Sequence, residues 1–482
     1  MITQNTMHTT LQALKEQRIT CQELTATCFQ QIETVNPAIN SIVTLNYREA
    51  MAAAKISDER IKKGNPRLLE GIPITIKDHF ATKNLRTTNS MKSFAQQVPD
   101  FDATVVARLR KEGAVILGKT NLPFMAMDFQ ANSPIFGVTN NPWDVTRTSG
   151  GSTAGAAAVA SNMSFLEVGS DLAGSIRIPA HFCGVYGLRP TDYAVSRYGL
   201  HPGGPKTGFR PPRNMAVPGL VARSLEDLTL GVSIISGPDA FQPELGYLLP
   251  PEQSKLKFLW TDSWPGIEVD DGYKRSIRDF IRRCEHTGIT MVQVSELPMD
   301  VFECYKVFGA LLSLELMNLP LFLRMLVKLQ NKRVNGFSLM NTQVSTSRKT
   351  FDTWMIKRES LMARLEAFLA EYDGFICPVT ATAAPKHLDP GKSPTLLHDP
   401  MKIVTMNGNS VLYGQAMAGF TVPFSVTGSP VVSLPIGLVE ERLPVGVQVV
   451  GRRFHDLSLL QACNELERHT GSTMPIMEKF FG

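Results

Sequence analysis

The chain has 482 residues, of which 43% are hydrophobic and only 19% charged, so a large buried core and few solvated tails are expected. Its net charge of +5, spread over that length without a long basic block, excludes an electrostatic nucleic-acid binder. The seven cysteines are scattered and form no CxxC pair, which argues against zinc or dithiol chemistry and for a reducing, cytoplasmic setting.

Taken in chain order, the first 17 residues lack a basic segment followed by an apolar one, so no secretory leader is expected. Thr20 and Glu23 have capping-box spacing, and the apolar residues that follow predict a helix over 20–34, closed by Asn36-Pro37. A helix rich in small residues is predicted from Arg48 to Lys62. Gly71 to Lys77 reads as a short apolar strand ending in a cation. A helix from Thr104 to Glu112 precedes a strand from Ala114 to Gly118. Residues 130–155 are loop by composition, and Gly155 to Ser161 is a helix small enough to lie close on a sheet. The stretch 196–217 is a Gly/Pro-rich, basic loop.

Strands are predicted at Lys255–Trp260 and Thr290–Val294, around a helix capped by Asp270 or Asp271. Residues 300–371 read as mostly helical. Their most apolar part, Gly309 to Leu329, is interrupted by Glu315, Asn318, Pro320 and Arg324, so it is read as a buried or lid helix pair rather than a membrane span, with a helix at a membrane surface or a subunit interface as the alternative. Late strands at 372–378, 430–435 and 445–450 and a helix from Leu457 to His469 complete the pattern. Strands alternating with helices along the whole length predict an α/β fold with a large mixed sheet. We read 1–482 as one domain, with a core at 65–195 and 372–470 and a helical cap at about 196–370.

The chemistry is concentrated in two glycine–serine loops. One is Arg147-Thr-Ser-Gly-Gly-Ser152-Thr-Ala-Gly155; the other is Ser170-Asp-Leu-Ala-Gly-Ser175-Ile-Arg177. A serine hydroxyl needs a partner to take its proton, and Ser-Lys arrangements do this without histidine. The lysine must then be neutral, although its reference pKa is about 10.4. Lys77 follows Ile72, Ile74 and Ile76, which places it at the buried end of a strand, where desolvation favours the neutral amine. Taken alone, each loop is more often an ordinary turn or helix cap, and a strand-end lysine more often a solvated charge; it is their joint presence in this order that points to catalysis.

The stretch from Gly71 to Thr191 resembles the amidase signature family. The matching residues are Gly71-Ile-Pro73, Lys77-Asp78, Gly118-Lys-Thr-Asn121, Asn141-Pro-Trp143 and Gly150-Gly-Ser152. They continue with Asp171, Gly174-Ser-Ile-Arg177, Pro179-Ala180 and Cys183-Gly-Val-Tyr-Gly-Leu-Arg-Pro-Thr191. Thr427-Gly-Ser-Pro430 and Pro444-Val-Gly446 extend the match toward the C-terminus. The resemblance implies an amidase-signature fold, a large mixed β-sheet covered on both faces by α-helices. It also implies an amidase that hydrolyses a carboxylic amide through an acyl-serine intermediate, with no cofactor and no metal.

By position, the resemblance makes Ser175 the nucleophile, Ser152 the bridging serine behind a cis peptide, and Lys77 the terminal base. Backbone amides of Leu172, Ala173, Gly174 and Ser175 would form the oxyanion hole. Asp171 and Arg177 would brace the loop, with Ser149 orienting Lys77 or the relay. Met127 and Thr153 would line the substrate pocket. His79 and His181 lie beside motif positions, but the relay needs neither. The chain departs from the family at Thr153, Ala154, Ala173 and Ser425, which bears on pocket shape and leaves the three relay groups in place. The expected partner is a small-molecule amide, with no nucleic acid; a homodimer is one open assembly, and the oligomeric state is not legible in the sequence. The same chemistry would also serve an amidotransferase-type subunit releasing ammonia for a partner, or an acyl transferase that forms amides.

Overall fold

The computed structural model describes residues 5–201, 214–316, 348–391, 396–398, 402–406, 409–440 and 442–471. Fifteen strands occur among them. In chain order they are β1 (Ile42–Leu45), β2 (Pro73–Lys77), β3 (Val115–Thr120), β4 (Asn132–Ser133), β5 (Gly137–Val138), β6 (Leu166–Asp171), β7 (Tyr186–Arg189) and β8 (Val217–Ala222). There follow β9 (Lys257–Trp260), β10 (Thr290–Gln293), β11 (Gly374–Pro378), β12 (Ile403–Met406), β13 (Asn409–Leu412), β14 (Val431–Val439) and β15 (Leu443–Val450). Eleven strands make one sheet in the order β1-β3-β2-β6-β8-β7-β14-β15-β11-β9-β10, and β4-β5 and β12-β13 are separate ribbons.

The sheet is mixed. β2 runs parallel to β3 and β6, whereas β6, β8, β7, β14 and β15 pair antiparallel in turn. Every residue of β2, β3, β6, β7, β8 and β11 is buried. A strand buried on both faces needs cover on both sides, and the helices supply it. Buried apolar side chains from Met7 to Leu466 form one contiguous cluster. All seven cysteines are free and buried within the protein.

Local sequence explains most element ends. Thr20 and Glu23 form the reciprocal capping box at the start of Cys21–Ile39, and Asp270 caps Asp271–His286 by accepting from Tyr273 N. The first of these helices runs on through Pro37 to Ile39, beyond the end predicted at Asn36. Pro37 lies in its last turn, and the Asn36 side chain accepts from Ser41 N and Ile42 N and donates to Ile42 O, which holds the exit. Asn40 then ends the helix in a left-handed conformation.

The stretch 196–370, read from composition as a helical cap, contributes β8, β9 and β10 to the main sheet. β8 lies between β6 and β7. Its run Val217-Pro-Gly-Leu-Val-Ala222 is short and non-alternating, the pattern of a strand buried on both faces. Residues 202–213 of the basic loop and 317–329 of the apolar lid segment lie outside the described residues. No described helix is long and apolar enough to cross a membrane.

Candidate active site

The carboxyl ends of the neighbouring strands β2 and β6 carry the two halves of the site. Lys77 is the last residue of β2, and its side chain is fully buried. Its Nζ lies 2.8 Å from Ser152 Oγ and 3.4 Å from Ser170 Oγ. Burial brings its pKa down to about 7, against the opposing pull of Glu167 and Asp171. The amine is therefore poised between its charged and neutral forms near neutral pH.

Ser152 follows a cis Gly151–Ser152 peptide. The two glycines before it are dictated by contact. A Cβ on Gly150, which has φ of +84°, would lie 2.7 Å from Pro179 Cα, and one on Gly151 would lie 2.8 Å from Gln130 N. The loop thus threads between the helix Arg177–Cys183 and the 129–130 backbone, with the Ser152 hydroxyl held against Lys77.

Ser175 stands just before the helix Arg177–Cys183, on the loop that leaves β6, and is 6% exposed. Among the described residues its hydroxyl makes no hydrogen bond, so the structure closes the Lys77–Ser152 contact and leaves the Ser152–Ser175 contact open. Such contacts are often long before substrate binds.

The loop around Ser175 is held from within. Asp171 accepts from Gly174 N at 2.9 Å and Ile176 N at 3.1 Å, and from Arg177 Nη2 at 2.8 Å and Nε at 3.0 Å. Arg189 Nε lies 3.7 Å away, and all three charged side chains are fully buried. Burial alone would raise the Asp171 pKa; the two guanidinium charges and the hydrogen bonds reverse this and hold the carboxyl well below its usual range. Arg177 also donates to Thr421 O, Ser425 Oγ and Gln448 Oε1, tying the loop to distant segments.

Because Asp171 engages Gly174 N, that amide leaves the set of four expected as oxyanion donors. The N–H groups of Leu172, Ala173 and Ser175 have no partner among the described residues.

The remaining sequence-derived residues are placed as follows. The Ser149 hydroxyl lies against Thr139 O and Gly150 O rather than against Lys77. The second hydroxyl at Lys77 is that of Ser170, which no local pattern singles out from the rest of its loop. Thr153 is fully buried, its methyl 2.8 Å from where a Gly169 Cβ would stand. Met127 packs with Phe94, Phe124, Met91 and Met125 in a small apolar cluster apart from the main core.

His181 is fixed between Gly446 N and Thr382 O, and burial lowers its pKa to about 4, so it is a neutral structural group. The Gln130 backbone lies against Gly151, Thr421 Oγ1 donates to Ala173 O and the Glu167 charge acts on Lys77, and no local pattern marks any of the three. Among the described residues no group of three or more His, Cys, Asp or Glu is placed to hold a metal ion.

The Amidase family model matches residues 23–460. The chain is 29% identical to a glutamyl-tRNA(Gln) amidotransferase subunit from Caldanaerobacter subterraneus subsp. tengcongensis, over 96% of each chain. It is 31% identical to the corresponding protein from Geobacillus stearothermophilus, again over 96% of each. A bacterial aryl acylamidase of the amidase signature family shares the fold, with a TM-score of 0.78 over 99% of this chain and 97% of that one at 20% identity. The chain belongs to the Amidase family, the amidase-signature group of amide-hydrolysing enzymes.

Proposed function

We propose that this protein hydrolyses a small carboxylic amide through an acyl-Ser175 intermediate, with Ser152 and Lys77 relaying the proton. The observation that carries the reading is the 2.8 Å contact between Ser152 Oγ and a fully buried Lys77 amine. Neutral Lys77 accepts the Ser152 proton, and Ser152 accepts that of Ser175 as its oxygen attacks the amide carbon. The tetrahedral oxyanion is met by the free amides of Leu172, Ala173 and Ser175. The relay then runs backward to protonate the departing amine, and water releases the acid by the same path. The cis peptide aims the Ser152 hydroxyl, and Asp171 and Arg177 keep the donor amides in line. The free cysteines support a reducing, cytoplasmic setting.

The test is intact-mass spectrometry after exposure to a fluorophosphonate and to a panel of amides. A single adduct on Ser175 is expected, and modification elsewhere with Ser175 intact refutes the reading. The pH dependence has a definite sign. Only neutral Lys77 acts as base, and burial sets its pKa at about 7. The labelling rate should therefore rise with pH through about 7 and level off above about 8. A rate that falls as pH rises through that window contradicts a lysine base.

The two amidotransferase relatives favour a second reading, in which the ammonia released passes to a partner protein. A glutaminase assay on the chain, alone and with the other components of such a complex, decides between them. Absence of glutamine turnover in both arms removes the second reading.

A further inference from the structure

The sheet buries, beside Lys77, a carboxyl group that the relay does not use. Glu167 lies in the middle of β6 and pairs in register with Thr75 of β2, two residues before Lys77. Residues two apart on a strand share a face, so Glu167, Thr75 and Lys77 project from the same side of the sheet. Glu167 is fully buried. Its Oε1 accepts from Thr120 Oγ1 at 2.5 Å, and Thr120 is the register partner of Lys77 on β3. β2 runs between β6 and β3. To reach Thr120, the Glu167 side chain must cross over β2, which lays its carboxyl beside the Lys77 stem.

The surroundings are shaped around that crossing. Gly155 opens the helix Gly155–Ala160, and a Cβ there would stand 2.0 Å from Glu167 Cδ. The helix offers no ionisable group of its own, only Gly, Ala and Val. The second carboxyl oxygen, Oε2, has no hydrogen-bond partner among the described residues. Burying a carboxylate with one oxygen unsatisfied is costly unless a charge nearby repays it.

The other charged groups near Glu167 have partners elsewhere. Lys119, on β3, donates to Phe80 O, Thr82 and Thr87. Asp171, at the end of β6, is neutralised by Arg177 and Arg189. Asp78, just past β2, accepts from Thr88. His79, next along, is buried and held in its neutral form. Lys77 is the cation whose other contacts are only hydroxyls.

We propose that Glu167 is a positioning residue for the base: its carboxyl is the internal counter-charge that sets the pH at which the Lys77 amine becomes neutral and able to accept a proton. The inference rests on Lys77 being the base. An ionised Glu167 holds the proton on Lys77, whereas a protonated Glu167 frees the amine. Burial pushes the carboxyl up and the amine down, to about 7 each, so the two groups are coupled and their protons leave in macroscopic steps that belong to the pair. The competing explanation is that Glu167 only anchors Thr120.

The rate of Ser175 labelling by a fluorophosphonate, followed from pH 5 to pH 10 on the full chain, separates the two. Glu167→Gln keeps the shape and removes the charge. Its acid limb should move down by roughly one to two pH units and sharpen to a single ionisation, with the high-pH plateau kept. Thr120→Val, which removes the donor that favours the ionised carboxyl, should move the limb the same way by less. A limb that stays at the wild-type pH in whichever of these variants folds, judged by thermal melting, overturns the proposal. Lys77→Ala labelled at the wild-type rate at every pH is a different failure, because it removes the base itself.

Discussion

Ser175→Ala should abolish fluorophosphonate labelling and lower amide turnover by roughly 10⁶-fold, the scale seen when a hydrolase loses its nucleophile. The expectation follows from where the three hydroxyls stand. Ser152 and Ser170 are both held against the Lys77 amine. Ser175 sits on a loop whose neighbouring amides, at Leu172 and Ala173, are free to meet an oxyanion. Its own oxygen makes no hydrogen bond among the described residues, so its removal should leave the melting temperature unchanged. Loss of activity without loss of stability is the diagnostic combination. Transfer of the label to Ser152 in the variant, with turnover kept, would show that the nucleophile had been misassigned.

What the sequence discloses and what it hides divide along the range of the interactions. Lys77 can be found because three isoleucines alternate ahead of it, and such alternation marks a buried strand. The two serine loops can be found because glycine is concentrated where the chain must turn tightly or approach backbone closely. Gly150 and Gly151 confirm that reason, each lying against another segment's backbone. The Asp270 cap and the Thr20–Glu23 box depend on residues three apart and are equally legible.

Interactions that join distant segments leave no local trace. Arg177 meets Thr421, Ser425 and Gln448, which lie far along the chain on other elements. Glu167 is an acid between Leu166 and Val168 near the start of β6, and only the strand order sets it across β2 from Thr120. The family resemblance counts Gly174 N among the expected oxyanion donors, and nothing local shows that Asp171 accepts from it. Strand β8 is hidden by its neighbours, since a six-residue apolar run beside a Gly/Pro-rich loop has too little periodicity to declare itself.

Asp171→Ala carries the largest expected effect on stability, and it should damage catalysis as well. The change strips the acceptor from Gly174 N and Ile176 N and leaves the Arg177 and Arg189 guanidiniums buried without their counter-ion. Breaking a buried pair by removing one partner costs about 3–5 kcal/mol, much of it the desolvation of the charge left behind. The melting entropy grows with chain length, so for a protein of this size the fall in Tm is only about 3–5 °C if unfolding is a single transition. Chemical denaturation is therefore the sharper measurement.

The pH dependence of the brace has a fixed sign. The folded carboxyl is held below its unfolded value of about 3.9, so its contribution is complete above about pH 5 and is lost as pH falls through the acid range. Wild type and Asp171→Ala should accordingly show their full difference above about pH 5 and converge as pH falls into the acid range.

The catalytic effect should be separable from the loss of stability. With Gly174 N released, the loop no longer fixes the Leu172 and Ala173 amides. Labelling of Ser175 should slow by about 10²–10³-fold, the scale of a lost oxyanion donor. Asp171→Asn gives the control. It keeps one acceptor oxygen for the loop and discards the charge, so it should recover part of the labelling rate while remaining destabilised by the two unneutralised guanidiniums. If Asp171→Ala labels as fast as wild type, the brace has no part in positioning the nucleophile, whatever it contributes to the fold.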